Sequence, residues 1–274
     1  MSYPLFDLNG RVALVTGAGG GFGCAIAAGF AQSGADLLLA DIDPQTLQAT
    51  ARKVEGFGRR AERVTCDVTD AQQIQAMFTK LDEAYGRIDI LVNIAGPAWT
   101  TIPEAISLED VTKTLNSLGV MRFYCCQEAG RRMLAQGKGS IINIGSIASV
   151  SALGRGHIAY SMGMGAVVQM TRELSTEWSG RGVRVNAILP AQTPSQFNQL
   201  NERMVASPAL KNNFLRGLPI GRLGKSEDIV GPAIFLASDA SSWVTGILLP
   251  MDGGNLAKNA GGSHPGMPEP TASL

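Results

Sequence analysis

The chain has 274 residues, of which 45% are hydrophobic and only 17% charged, against about 25% charged in an average soluble domain. Lys and Arg (23) balance Asp and Glu (23). A chain with no net charge lacks the basic footprint of proteins that neutralise nucleic-acid or membrane phosphates, and the charge deficit points to surface covered by other subunits.

Glycine is in excess (33 residues) without a collagen-like repeat, so it belongs to turns and close backbone approaches. No apolar run reaches the roughly 18 residues of a membrane span, and Met1 to Arg11 has no apolar signal core. The cysteines, Cys24, Cys66, Cys125 and Cys126, lack metal-ligand spacing, so no metal is expected. They read as buried, reduced thiols of a cytoplasmic protein; a Cys125–Cys126 redox pair is the alternative.

In chain order, short apolar runs are predicted as strands at Val12–Thr16, Asp36–Asp41, Ala61–Cys66, Ile88–Asn93, Ser140–Gly145, Val183–Leu189 and Gly246–Pro250. Their continuous apolar character suits a parallel sheet buried on both faces. Between them the period changes. Phe22, Ile26 and Phe30 share one helical face, as do Ile74, Met77, Phe78 and Leu81. Asp43-Pro44 reads as an N-cap and first helical residue, and Ser107 starts a helical stretch toward Gln136. Alternating strands and helices predict one doubly wound α/β domain over residues 1–254 with a mostly parallel seven-stranded sheet. Within it, the polar, irregular stretch 191–217 is expected to act as a lid over the substrate. Residues 255–274 read as a C-terminal arm or tail.

The string Thr16-Gly17-Ala18-Gly19-Gly20-Gly21-Phe22-Gly23 joins the first strand to the first helix. Glycines there let the backbone approach a pyrophosphate, and the helix N-terminus supplies N–H groups and partial positive charge. Asp41 ends the second strand, where a carboxylate can accept both hydroxyls of an adenosine ribose and repel a 2′-phosphate. No Arg or Lys in the loop or immediately after Asp41 would neutralise that phosphate. The expected cofactor is therefore NAD(H) rather than NADP(H).

These residues resemble the short-chain dehydrogenase/reductase family along nearly the whole chain. The glycine string is similar to its Thr-Gly-x-x-x-Gly-x-Gly, and Asn93-Ile94-Ala95-Gly96 to its Asn-Asn-Ala-Gly. Further similarities are Cys66-Asp67-Val68, Thr114-Leu115-Asn116, Asn143-Ile144-Gly145-Ser146, Val185-Asn186 with Pro190, and Asp252-Gly253-Gly254. The resemblance implies a Rossmann-type fold and a homotetramer, or failing that a dimer, paired through Ser107–Gln136 and Tyr160–Gly180. It implies a cofactor held by Gly17, Gly20, Gly21, Phe22, Gly23, Asp41, Asp67, Val68, Asn93, Ala95, Gly96, Tyr160, Pro190 and Thr193. Ser146, Asn116 and Tyr160, fourteen residues after Ser146, would be catalytic. A hydride moving between nicotinamide and a carbonyl carbon leaves charge on oxygen, so a proton must be delivered or removed there, with Tyr160 placed to do it and Ser146 to hold the oxygen. His157 and Arg155 could reach the substrate or simply occupy a loop. Trp99, Leu153 and Phe197 could line an apolar pocket or serve packing.

One position departs from the family pattern. Tyr-x-x-x-Lys is replaced by Tyr160-Ser161-Met162-Gly163-Met164, so Met164 stands where the resemblance implies a lysine. A thioether carries no charge and cannot hold a ribose hydroxyl as an ammonium does. An isolated tyrosine ionises near pH 10, so tyrosinate for alcohol oxidation would be scarce at neutral pH while phenol for reduction would be abundant. Three readings follow: an oxidoreductase biased to carbonyl reduction or acting on an already protonated imine, a catalytically impaired enzyme that still binds cofactor, and a non-enzymatic NAD-binding protein. A polyol or sugar, a small ketone and a cyclic imine all remain open as substrates.

Overall fold

The computed structural model describes residues 4–154, 156–195 and 200–259. Seven strands form one sheet: β1 (Val12–Thr16), β2 (Asp36–Asp41), β3 (Ala61–Thr65), β4 (Ile90–Asn93), β5 (Gly139–Ile144), β6 (Val183–Pro190) and β7 (Leu248–Met251). The order is β3-β2-β1-β4-β5-β6-β7, and every neighbouring pair is parallel. The expected mostly parallel sheet is thus parallel throughout. Leu14 lies beside Leu38 on one side and Leu91 on the other.

Helices cover both faces: α1 (Gly21–Gln32), α2 (Pro44–Gly56), α3 (Ala71–Tyr85), α4 (Leu108–Leu115), α5 (Arg122–Gln136), α6 (Ile158–Trp178), α7 (Leu200–Ala206), α8 (Pro208–Arg216) and α9 (Val230–Ala237). Ala13 and Val15 point into a core with Ile26 and Phe30 of α1, Leu47 of α2 and Leu236 of α9. Leu14 points into the opposite core with Ile74 and Phe78 of α3, Met133 of α5 and Leu174 of α6. Phe30 and Phe78 are fully buried, a burial worth about 1.5–3 kcal/mol for each such side chain.

The helix starts follow local chemistry. Asp43 caps α2 by accepting from the Gln45 N–H, with Pro44 at the first helical position. Asp70 caps α3 by accepting from Gln72 and Gln73, and Ser107 caps α4 by accepting from Asp110. The stretch from Ser107 to Gln136 is broken between α4 and α5 by a π-helical turn, Asn116–Met121. Such a turn inserts extra backbone and re-aims the side chains after it, and it often marks a functional site.

Two sequence expectations need adjusting. The stretch 191–217 is not wholly irregular: Ser207 accepts from the Leu210 N–H and Pro208 opens α8, so a cap and a first-turn proline organise it. Cys24 is only half-buried: it lines a surface depression between α1 and α2, where the Lys53 Nζ donates to its sulfur at 3.3 Å. Part of the tail, 260–274, lies outside the described residues, as do Arg155 and Phe197.

Candidate active site

In a parallel sheet every strand delivers its following loop to one edge. Strand order reverses between β2-β1 and β4-β5, so the loops after β1 and β4 part and leave a crevice. Thr16 spans that point: its hydroxyl donates to Val92 O (3.4 Å) and accepts from the Ile94 N–H (3.1 Å). The glycine loop sits above it. Gly17 has φ +70°, and a Cβ there would meet Ala95 N at 3.1 Å. A Cβ on Gly23 would stand 2.0 Å from Gly17 O, so α1 reaches the loop only because residue 23 has no side chain. Gly20 caps α1 without a side-chain acceptor, which leaves first-turn N–H groups for an anion.

Asp41 ends β2 and leans on this loop. Its Oδ2 accepts from the Gly19 N–H (2.8 Å) and its Oδ1 from the Asp43 N–H (3.2 Å), and a carboxylate still has lone pairs free beyond these bonds. Asp67 Oδ1 accepts from both the N–H and the hydroxyl of Thr69 (2.8 Å each). Asp41, Asp67, Val68, Ala95, Gly96 and Asn116 line one cleft of about 660 Å³, together with Ile42, Thr69, Trp99 and Lys113. A glycine cradle, a carboxylate at ribose position and a cleft between diverging loops fit a dinucleotide. Burial pushes the Cys66 thiol at its wall up to about 11.

The proposed chemical groups arrive from three elements. Asn116 begins the π-helical turn. Ser146 follows β5, is buried, and accepts from the Ala148 N–H at 3.1 Å, while the short turn after it packs against α6. Tyr160 lies in the first turn of α6 with its ring edge-on to His157, centroids 5.9 Å apart. Met164, one helical turn on, is 5% exposed and packs with Leu118, Val167 and Tyr160. Pro190 ends β6, and Thr193 beyond it is buried.

Asn93 is placed differently from the others. Its amide donates to Asn143 Oδ1 (3.0 Å), whose own amide donates to Thr171 Oγ1 (3.0 Å), so its side chain ties β4 to β5 and α6 inside the core. Burial raises the Cys125 thiol and pushes Cys126 up to about 12, so both are inert neutral groups at ordinary pH.

Ile42, Thr69 and Lys113 border the cleft and were not singled out by sequence, because loop neighbours carry no pattern. Arg122 was also missed, although a signal existed: it is the one charge between Leu115 and Gln127. It is 3% exposed and donates to Ile144 O, Ile94 O and Ala95 O.

A family model described as enoyl-(acyl carrier protein) reductase matches residues 17–255. The chain is 39% identical over 253 residues to D-threitol dehydrogenase of Mycolicibacterium smegmatis, covering 92% of this chain and 95% of that protein. It is 39% identical over 257 residues to galactitol 2-dehydrogenase (L-tagatose-forming) of Cereibacter sphaeroides, covering 91% and 96%. The crystal structure of a gluconate 5-dehydrogenase from Burkholderia cenocepacia, in complex with NADP and tartrate, superposes with a TM-score of 0.86 at 32% identity, covering 93% of this chain and 99% of that one. Fold, site position and near full-length similarity agree: the chain belongs to the short-chain dehydrogenase/reductase family of nicotinamide-linked oxidoreductases.

Proposed function

We propose that this protein is an NAD(H)-dependent oxidoreductase acting on a carbonyl/alcohol pair and biased to reduction. The observation that supports this reading is the cleft shared by Asp41 and Asn116 beside the glycine cradle, with Ser146 following β5 at the same sheet edge. Bound nicotinamide supplies or accepts the hydride. Tyr160 gives the proton to the substrate oxygen or takes it back, Ser146 hydrogen-bonds that oxygen, and Asn116 holds water at the π-helical turn. Met164, in the place of the family lysine, leaves the tyrosine side of this machinery without an ammonium, hence the reductive bias. Relatives named for threitol and galactitol favour a polyol or the corresponding ketose over an imine. The segment 191–217, of which 196–199 lie outside the described residues, is proposed to serve as the lid over the substrate. The test is nicotinamide absorbance during incubation with carbonyls, polyols and cyclic imines; turnover of imines alone would reverse the substrate assignment.

NAD(H) is favoured over NADP(H) because the Asp41 carboxylate, which accepts from the Gly19 N–H at the loop, would repel a 2′-phosphate. Asp41→Ser is expected to reduce the NADH preference at least about ten-fold, a change of about 1.4 kcal/mol in relative binding. Equal NADH and NADPH affinity in the unaltered protein would refute the assignment.

The protein is proposed to be a cytoplasmic homotetramer. An apolar depression of about 500 Å³ lies between the α4–α5 stretch and α6, lined by Leu115, Gly119, Val120, Phe123, Ala166 and Met170. Val120 and Phe123 are 54% and 40% exposed in the single chain, an apolar patch suited to a subunit contact. Light scattering is expected to give a multiple of the 28.8 kDa chain mass; a stable mass near that value at micromolar concentration would exclude assembly.

A further inference from the structure

The segment after β4 brings one large ring to the cleft wall. Gly96-Pro97-Ala98-Trp99 runs without helix or strand, and Pro97 and Pro103 each fix φ along its course. The Trp99 N–H donates to Thr114 Oγ1 (3.2 Å), and the hydroxyl of this fully buried threonine donates in turn to Asp110 O (2.8 Å), so the segment is anchored to α4. Ala98 packs against the cluster of Leu118, Met164 and Val167, which Tyr160 also borders. Two residues beyond Trp99, the main chain presses on Gly156, where a Cβ would stand 2.8 Å from Thr101 C. Gly156 precedes His157, whose ring meets Tyr160 edge-on. The segment therefore runs from the cleft past the first turn of α6. Trp99, between those two contacts, lines the cleft with Gly96, Pro97 and Asn116 and is 38% exposed. Trp99 is the one aromatic among the described residues that line this cleft. The other large apolar lining groups, Ile42 and Val68, follow β2 and β3, on the far side of β1 from β4. Beside β4 on its other side lies β5, which leads to Ser146. The adenosine end of the cleft thus has its own apolar walls, and Trp99 stands toward the reacting end.

We propose that Trp99 is a specificity-determining residue, its ring stacking on the carbon face of a polyol or ketose held at the reacting end of the cleft. The inference rests on reading this site as a carbonyl/alcohol oxidoreductase for polyols. An open-chain polyol has no apolar group beyond its own carbon chain. Its C–H groups form narrow faces of slight positive charge, and an indole covers such a face with the negative face of its π-system. The hydroxyl groups then turn outward, toward Asn116 and Lys113 in the same cleft and toward water. Small-ligand sites commonly combine an aromatic wall with a few placed polar groups in this way. The proline-flanked, α4-anchored segment presents the ring with little conformational freedom left to lose on contact.

The test compares Trp99→Leu, which keeps apolar bulk without a ring, with Trp99→Phe, which keeps an aromatic face. Steady-state kinetics with threitol and galactitol are read beside NADH titration of the same proteins. Trp99→Leu is expected to raise the KM for the polyol about ten-fold, with kcat changed less than about two-fold and the NADH dissociation constant unmoved. Trp99→Phe should recover most of that loss, which a role in packing alone would not require. Binding is also read directly, by adding polyol to the NADH-loaded protein, a pair that cannot turn over. Indole emission is expected to change with polyol in the unaltered chain and to stay constant in Trp99→Phe, although Trp178 and Trp243 remain there. Polyol turnover with an unaltered KM in Trp99→Leu overturns the Trp99 inference alone. A weaker NADH complex in Trp99→Leu with an unaltered polyol KM places the ring on the cofactor and overturns it as well. Turnover of neither polyols nor ketoses by the unaltered chain overturns the reading of the site and the inference with it. Should Trp99→Leu not fold, the unaltered chain decides: emission that polyol leaves constant, while polyol is being turned over with NAD, overturns the inference.

Discussion

Tyr160→Phe is expected to lower turnover about 10²–10⁴-fold, the usual contribution of a positioned proton donor, while leaving NADH binding intact. Met164→Lys is expected to act in the opposite sense on one direction of the reaction. Residue 164 follows Tyr160 by one helical turn, and Tyr160 packs against the small buried cluster that Met164 forms with Leu118 and Val167. An ammonium there would add a positive charge beside the phenol, and opposite charges at such range typically shift a titration by about one to three units. Alcohol oxidation near neutral pH should rise about ten-fold for each unit by which its pH profile moves down, until tyrosinate predominates. Reduction should change less, because the protonated form it uses is already populated. A Lys stem replaces most of the buried thioether volume, and its head must reach the cleft, so some loss of melting temperature accompanies the gain. If the pocket serves a cationic imine, the new charge repels the substrate and that activity falls. No change in either direction, with Tyr160→Phe also silent, would remove Tyr160 from the chemistry and leave the cofactor site standing by itself.

Gly23→Ala is expected to damage cofactor binding and stability together. The added methyl would lie 2.0 Å from Gly17 O, 2.7 Å from Gly17 C and 2.9 Å from Ala18 Cα, all main-chain atoms that no rotamer change can move. The loop cannot easily retreat. The Ala18 N–H donates to Ala40 O at 3.0 Å, and Thr50 Oγ1 donates to Ala18 O at 2.9 Å, tying the loop to β2 and α2. The helix is held in turn by fully buried Ile26 and Phe30. Overpacking of this kind costs about 1–3 kcal/mol, and displacement of the loop from the helix N-terminus should weaken NADH binding at least about ten-fold. Thermal melting and NADH titration of the same variant check both halves. An alanine variant that melts and binds like its parent would mean that α1 does not press on the loop as described.

Local chemistry in the chain was enough to identify the alternation of buried strands and amphipathic helices, because side-chain periodicity and capping act over a few residues. Val12–Thr16 and Asp36–Asp41 were readable to the residue, and Asp43-Pro44 and Ser107 marked true helix starts. The glycine string and Asp41 were readable for the same reason: a backbone that must approach a phosphate leaves its requirement in consecutive residues. The strand starts at Ile88 and Gly246 were less legible: Ile88 is a buried apolar residue just before its strand, and Gly246 is a half-buried turn glycine at φ +74°. The π-helical turn was invisible, because one added backbone residue leaves no compositional mark. Tertiary structure alone decided the partners. The side chain of Asn93 is bonded to Asn143, which is bonded to Thr171, partners that come from distant positions in the chain. Arg122 stood out in sequence only as a stray charge. Its place beneath Gly96 follows from the convergence of β4, β5 and the π-helical turn, three segments brought together only by the sheet order.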